Sequence, residues 1–129
     1  MGDLTKNLSR KEFACKDGCG FDDINLTLVD MLQTIRSYVG FPFRISSGCR
    51  CKKHNKAVGG VRNSQHTLGK AADVHCQIGA LELFRTVRKL YRMGAIPALG
   101  HAQLYVAEDF VHLDVRSKKS NTVKGWHNG

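Results

Sequence analysis

Apolar positions recur every three to four residues in some stretches of the chain and alternate in others, and these periods predict its elements. Leu28, Leu32, Ile35 and Val39 share one face of a helix that Asn25 would cap and Gly40 would end, ahead of Pro42. Leu83, Phe84, Val87, Leu90 and Tyr91 do the same for a second helix over about residues 79–93, with its arginines turned outward. Residues 43–46 alternate as a short strand. Residues 71–75 read as another, with Asp73 and His75 on one face and Ala72 and Val74 on the other. Two more strands are expected near residues 103–106 and 110–115, and one helical turn at 53–58. Strands separated by turns near the C-terminus favour antiparallel pairing, hence an α+β fold.

No repeat, low-complexity tract or linker breaks the sequence, and 129 residues fit one domain that buries roughly two-thirds of its unfolded surface. Residues 1–24 read as an irregular entry anchored by Phe13 and Phe21, with Gly18 and Gly20 as turn formers. Residues 117–129 read as a basic, polar tail relieved only by Val123 and Trp126. No apolar run approaches the ~20 residues of a membrane span. The first residues carry no apolar core of a secretory signal, so the chain is expected to be cytoplasmic as synthesised.

Composition changes this picture in two places. The net charge of +9 is spread along the chain, and such a field favours polyanions: nucleic acid, acidic lipid or an anionic cell-wall polymer. No aromatic RNA-binding signature or paired Cys/His finger spacing accompanies the charge, so no nucleic-acid partner is expected. The five cysteines are an odd number, and without a signal segment reduced thiols are expected. Cys15/Cys19 and Cys49/Cys51 would make a small structural zinc site only if the chain brought them together; buried free thiols are the preferred reading.

The strongest chemical signal is the segment Ser64-Gln65-His66-Thr67-Leu68-Gly69-Lys70-Ala71-Ala72-Asp73, with a second histidine, His112, on a later strand. Two imidazoles and one carboxylate are a ligand set for a catalytic zinc ion that keeps one position open. Gly69 would let the loop between His66 and Asp73 turn without a Cβ in the way. An antiparallel neighbour would present His112 beside Asp73, and Ser64 would hold the loop or a ligand from behind. His75 faces the same side as Asp73; a partly buried non-ligand beside the substrate is the preferred reading, a fourth ligand the alternative. Asp114 shares a face with His112 and reads as its support or as the partner of a basic residue.

Those residues, together with Ser46-Ser47-Gly48-Cys49-Arg50-Cys51, His54 to Gly60 and Phe110 to Arg116, resemble the zinc D-Ala-D-Ala carboxypeptidase family of peptidoglycan peptidases. That family shares its fold with the N-terminal domain of Hedgehog proteins, and the resemblance runs from about residue 8 to 116 with the motifs in order. It implies a small antiparallel sheet with flanking helices. It implies that His66, Asp73 and His112 bind one Zn2+, that Asp109 is the general base, and that Arg50 polarises the scissile carbonyl or holds a substrate carboxylate. The ion would bring the pKa of its water toward neutrality, a carboxylate would take the proton, and a guanidinium would face the developing oxyanion.

The sequence departs from the family pattern at three points. Phe110 stands where some relatives have a histidine, and Cys49 replaces a common tyrosine. Strict alternation would also send Asp109 to the face opposite His112, so Asp109 must lie in a loop or bulge, with Glu108 as its substitute. The resulting expectation is a single-domain, phage-type zinc peptidase, monomeric, acting on the peptidoglycan stem peptide as carboxypeptidase or endopeptidase after release to the wall. A non-enzymatic zinc-containing module on the same scaffold is the alternative, and a charge-driven nucleic-acid binder a weaker third reading.

Overall fold

Asn25 lies outside helical conformation and its side chain accepts the Leu28 N–H at 3.0 Å, which starts the first helix, α1 (Leu26–Val39). Gly40 ends it in the left-handed region at φ 83°, a conformation that costs glycine nothing. The computed structural model describes residues 2–117; the basic tail expected at 117–129 therefore lies, beyond its first residue, outside the described residues. After α1 come β1 (Phe43–Ser47), α2 (Lys52–Ala57), β2 (Ala71–Cys76), α3 (Ala80–Arg92), β3 (His101–Tyr105) and β4 (Phe110–Asp114). Short 3-10 turns at Arg10–Phe13 and Gln65–Leu68 complete the order.

The strands form one antiparallel sheet in the order β1-β2-β4-β3, so the fold is α+β as the patterning predicts. Its two faces differ in chemistry because the side-chain period of a strand is two. Phe43, Ile45, Ala72, Val74, Ala102, Val111 and Leu113 point to one side, where they join Leu28, Leu32 and Ile35 of α1 and Leu83, Phe84 and Val87 of α3 in a single core. Phe13 and Leu8 are fully buried in the same core and tie the N-terminal segment down. The opposite face carries Asp73 and His75 of β2, and His112 and Asp114 of β4. Register, not sequence proximity, makes neighbours of Asp73 and His112: they are direct partners across the β2–β4 ladder.

A register shift between Ile45 and Ser47 gives β1 one extra residue against β2. Arg44 pairs with His75 and Ser47 with Asp73, so Ser46 and Ser47 both serve the polar face although they are consecutive. The bulge matters below, because the two hydroxyls hold His75 and Arg50.

Candidate metal centre

His66 sits in the Gln65–Leu68 turn, whose N-cap Ser64 accepts the His66 N–H at 3.2 Å. Gly69 closes the turn at φ 69°, and a Cβ there would meet the Asp23 carbonyl oxygen at 2.4 Å. Only glycine satisfies both demands, so the loop delivers His66 onto the end of β2 without displacing the segment before α1. The imidazole is buried. Its Nδ1 lies 2.7 Å from the Gly48 carbonyl oxygen, which can only accept, so the proton resides on Nδ1 and Nε2 is turned inward.

His112 is oriented in the complementary sense. Its Nε2 lies 2.8 Å from Asp114 Oδ2, a carboxylate that Arg116 also holds at 2.7 Å, and Nδ1 faces Asp73. Asp73 Oδ1 is the shared vertex, 3.2 Å from His66 Nε2 and 3.0 Å from His112 Nδ1. All three ligand atoms lie within 4.8 Å of one another. Bonds of about 2.0–2.2 Å at tetrahedral angles require donor–donor edges of about 3.3–3.6 Å. The donor set therefore fits a zinc ion with a contraction of a few tenths of an ångström, which the ion itself would reverse. The outward nitrogens of both histidines are bonded to a carbonyl and a carboxylate, the arrangement that fixes the tautomer of a metal-binding imidazole.

Electrostatics follow from the crowding. Burial would raise the Asp73 carboxyl, but hydrogen bonds from His112 and His66 outweigh it and hold the group well below the carboxylate range. Burial likewise opposes protonation of His112, yet its bonds to Asp114 and Asp73 prevail and raise its pKa. Asp114, despite burial, is brought down to about 2 by His112 and Arg116. The His112 contribution to stability is complete below its unfolded pKa of about 6.5 and is lost as the pH rises through the raised folded value. The carboxylates contribute above about 3.9 and lose that contribution only as the pH falls through their depressed values. His75 and His101, whose pKa values burial lowers, act with the opposite sign, so the His112 contribution is read by difference: His112→Gln is expected to lower the melting temperature of metal-stripped protein more at pH 6 than at pH 8. Thermal melts across the range check this.

The triad opens into a cavity of about 480 Å³ whose walls include Arg50, Gln103, Tyr105 and His101. Arg50 is clamped: Ser47 Oγ accepts from Nε at 3.2 Å and Nη2 at 3.1 Å, and Asn55 Oδ1 accepts from Nη1 at 2.8 Å. Its Nη2 lies 3.7 Å from Asp73 Oδ2. Asn55 is itself buried and donates to the Val61 carbonyl at 2.8 Å. A Cβ on Gly60 would strike Asn55 Oδ1 at 2.0 Å, so the glycine keeps room for this clamp. Tyr105 and Phe110 stack at 4.5 Å and form one wall.

The remaining expected site residues divide clearly. Ser64 and Asp114 stand behind the two histidines as described. His75 lies along β2 from Asp73, outside the triad, with Nε2 2.8 Å from Ser46 Oγ. Asp109 is not brought to the cavity. It is exposed, adopts the left-handed φ of 59°, and its Oδ1 accepts the Ala80 N–H at 2.8 Å at the start of α3. It lines a separate depression with His75 and Arg44, because it lies in the turn before β4, where its positive φ and the bond from the Ala80 N–H direct the carboxylate away from the triad. Glu108, its substitute, is exposed and also absent from the cavity wall.

Sequence reasoning assigned no role to Asn55, Ser47 or the Gly48 carbonyl. Nothing local in the sequence marks any of the three.

The sequence profile of the family described as Peptidase M15 matches residues 5–114, most of the chain and every residue of the triad. No curated protein matches the chain.

Proposed function

The chain belongs to the Peptidase M15 family, a family of zinc-dependent metallopeptidases, and from that premise we propose that it hydrolyses a peptide bond in the stem peptide of peptidoglycan, with His66, Asp73 and His112 holding the zinc. The observation that carries the reading is the donor triangle itself, with Asp73 Oδ1 at 3.2 and 3.0 Å from two imidazole nitrogens whose opposite nitrogens are already bonded. When bound, the ion would act as a Lewis acid on the scissile carbonyl and lower the pKa of the attacking water.

The chain's own groups supply the rest. Gly48 and Asp114 orient the imidazoles, and the clamped guanidinium of Arg50 faces the cavity as a fixed positive charge for an oxyanion or a terminal carboxylate. His101 and Tyr105 are the groups of the cavity wall, besides the triad and the arginines, that can take or give a proton. Burial, then the nearby Arg116, lowers the pKa of His101. The net charge of +9 would favour contact with an anionic wall polymer after release from the cell that makes the protein.

Digestion of purified peptidoglycan with zinc-loaded protein should yield new amino termini and shortened muropeptides by mass spectrometry, and chelation should abolish them. Equal absence of cleavage in both arms would leave the non-enzymatic zinc module. One observation favours that alternative: among the described residues, no carboxylate outside the triad lines the cavity.

That observation makes Asp109 directly testable. To accept a proton in the cavity its carboxylate would first have to release Ala80. Asp109→Asn preserves both the cap and a side chain tolerated at positive φ. It is expected to change kcat/KM by less than about threefold. A loss of about 10²–10⁴-fold would return Asp109 to the role of general base.

A further inference from the structure

A second cluster of donor atoms lies outside the cavity. Cys15 and Cys19 flank a turn in the N-terminal segment, and Cys51 arrives from the loop after β1. Their sulfurs and one carboxylate oxygen of Asp17 all lie within 4.8 Å of one another. Cys51 Sγ donates to Asp17 Oδ2 at 3.0 Å, and the Cys19 N–H holds the other oxygen, Oδ1, at 2.9 Å. Two of the sulfurs are also acceptors from the backbone: the Cys51 N–H reaches Cys15 Sγ at 3.4 Å, and the His54 N–H reaches Cys51 Sγ at 3.3 Å. These bonds fix both sulfurs in place, while the carboxylate of Asp17 raises the Cys19 and Cys51 thiols, so an ion entering the cluster must displace their protons.

We propose that Cys15, Asp17, Cys19 and Cys51 form a structural zinc site separate from the triad. Three soft sulfur donors select zinc over magnesium or calcium. Four protein donors leave no position for substrate, which is the mark of a structural rather than a catalytic ion. Cys49 and Cys76 take no part, because both are buried in the apolar core. Binding would replace thiol protons with the ion, so loading releases protons.

The position of the site gives it a consequence. Cys51 follows Arg50 directly, and the Cys49 N–H bonds the Phe13 carbonyl at 2.7 Å. A Cβ on Gly48 would meet Phe13 Cα at 2.7 Å, so this loop is pressed against the segment that leads into Cys15. An ion bridging Cys15 and Cys51 would staple together the two segments that present the Gly48 carbonyl to His66 and the Arg50 guanidinium to the cavity.

The test uses the full chain, isolated under reducing conditions, with zinc measured by elemental analysis and the stripped protein reloaded with cobalt. The wild type should carry about two zinc ions per chain and show a thiolate-to-cobalt charge-transfer band. Cys19→Ser, at an exposed position, should lose one ion and the band; Cys76→Ser should lose neither. A variant with His66 and Asp73 both changed to alanine should keep one ion and the full band, so failure of the triad reading is distinguishable from failure of this one. A wild type that gives no thiolate band on cobalt loading, a Cys19→Ser variant that keeps the wild-type metal content, or an intact mass about two units below the fully reduced chain would overturn the proposal, whereas one ion with the full band would overturn the triad instead.

Discussion

Asp73→Ala is expected to lower kcat/KM by about 10³–10⁴-fold, the largest single effect in the molecule. Asp73 contributes the anion around which the site is built. Its Oδ1 is the vertex shared by His66 and His112, and its Oδ2 faces Arg50 at 3.7 Å. Removing it leaves two imidazoles and a half-buried arginine with no negative charge between them, which weakens metal binding and leaves Arg50 without its anionic neighbour. Lewis-acid assistance contributes several kcal/mol, and each 1.36 kcal/mol is a decade in rate. The neighbours Ala72 and Val74 point into the core and are untouched, so circular dichroism should be unchanged. His75→Ala, on the same face of the same strand but bonded to Ser46, is the matched control and should lose less than about tenfold. Kinetics on a stem-peptide substrate with zinc content measured in parallel decide the matter. Asp73→Ala retaining activity within about tenfold of the wild type would remove the triad from the mechanism.

How much of this was legible beforehand depends on whether the determining interactions are local. The α1 helix could be read to its ends because Asn25 and Gly40 act within one turn of the residues they cap. The two faces of β2 were legible because alternation is intrinsic to a strand, and the pairing of His112 with Asp73 followed from an antiparallel neighbour. The order β1-β2-β4-β3 was not, since the β2–β4 contact closes a long loop and leaves no mark at either end.

Asp109 illustrates a sharper limit. The resemblance implies a base at this position, but a backbone φ of 59° and the bond from the Ala80 N–H at the start of α3 decide where its carboxylate goes. The thiols illustrate another. Free buried thiols describe Cys15, Cys49 and Cys76, whereas Cys19 is exposed and Cys51 partly so. Spacing in the sequence pairs Cys49 with Cys51. Cys49 instead enters the core while Cys51 sits beside Cys15, and Asp17 occupies the fourth place, which no cysteine spacing could have indicated.

Arg50→Ala carries the second large effect, and its form distinguishes two kinds of peptidase. The guanidinium is held by Ser47 and Asn55 before any substrate arrives, so its charge is presented without reorganisation. If it faces the developing oxyanion, kcat falls about 10²–10³-fold with little change in KM, whether or not the substrate ends at the scissile residue. If it holds a terminal carboxylate, KM rises instead, and only for substrates that carry that carboxylate, the behaviour of a carboxypeptidase. Arg50→Lys should rescue neither case well, because one ammonium on a flexible stem cannot bridge Ser47 and Asn55 while still pointing at the cavity. Asn55→Ala should lose about 10–100-fold with the arginine intact, since a misplacement of about 1 Å at a positioned group is worth up to two decades. Were Arg50→Ala to leave both constants within about threefold on both substrate types, the clamp would be scaffolding for the loop and the cavity would bind its substrate without it.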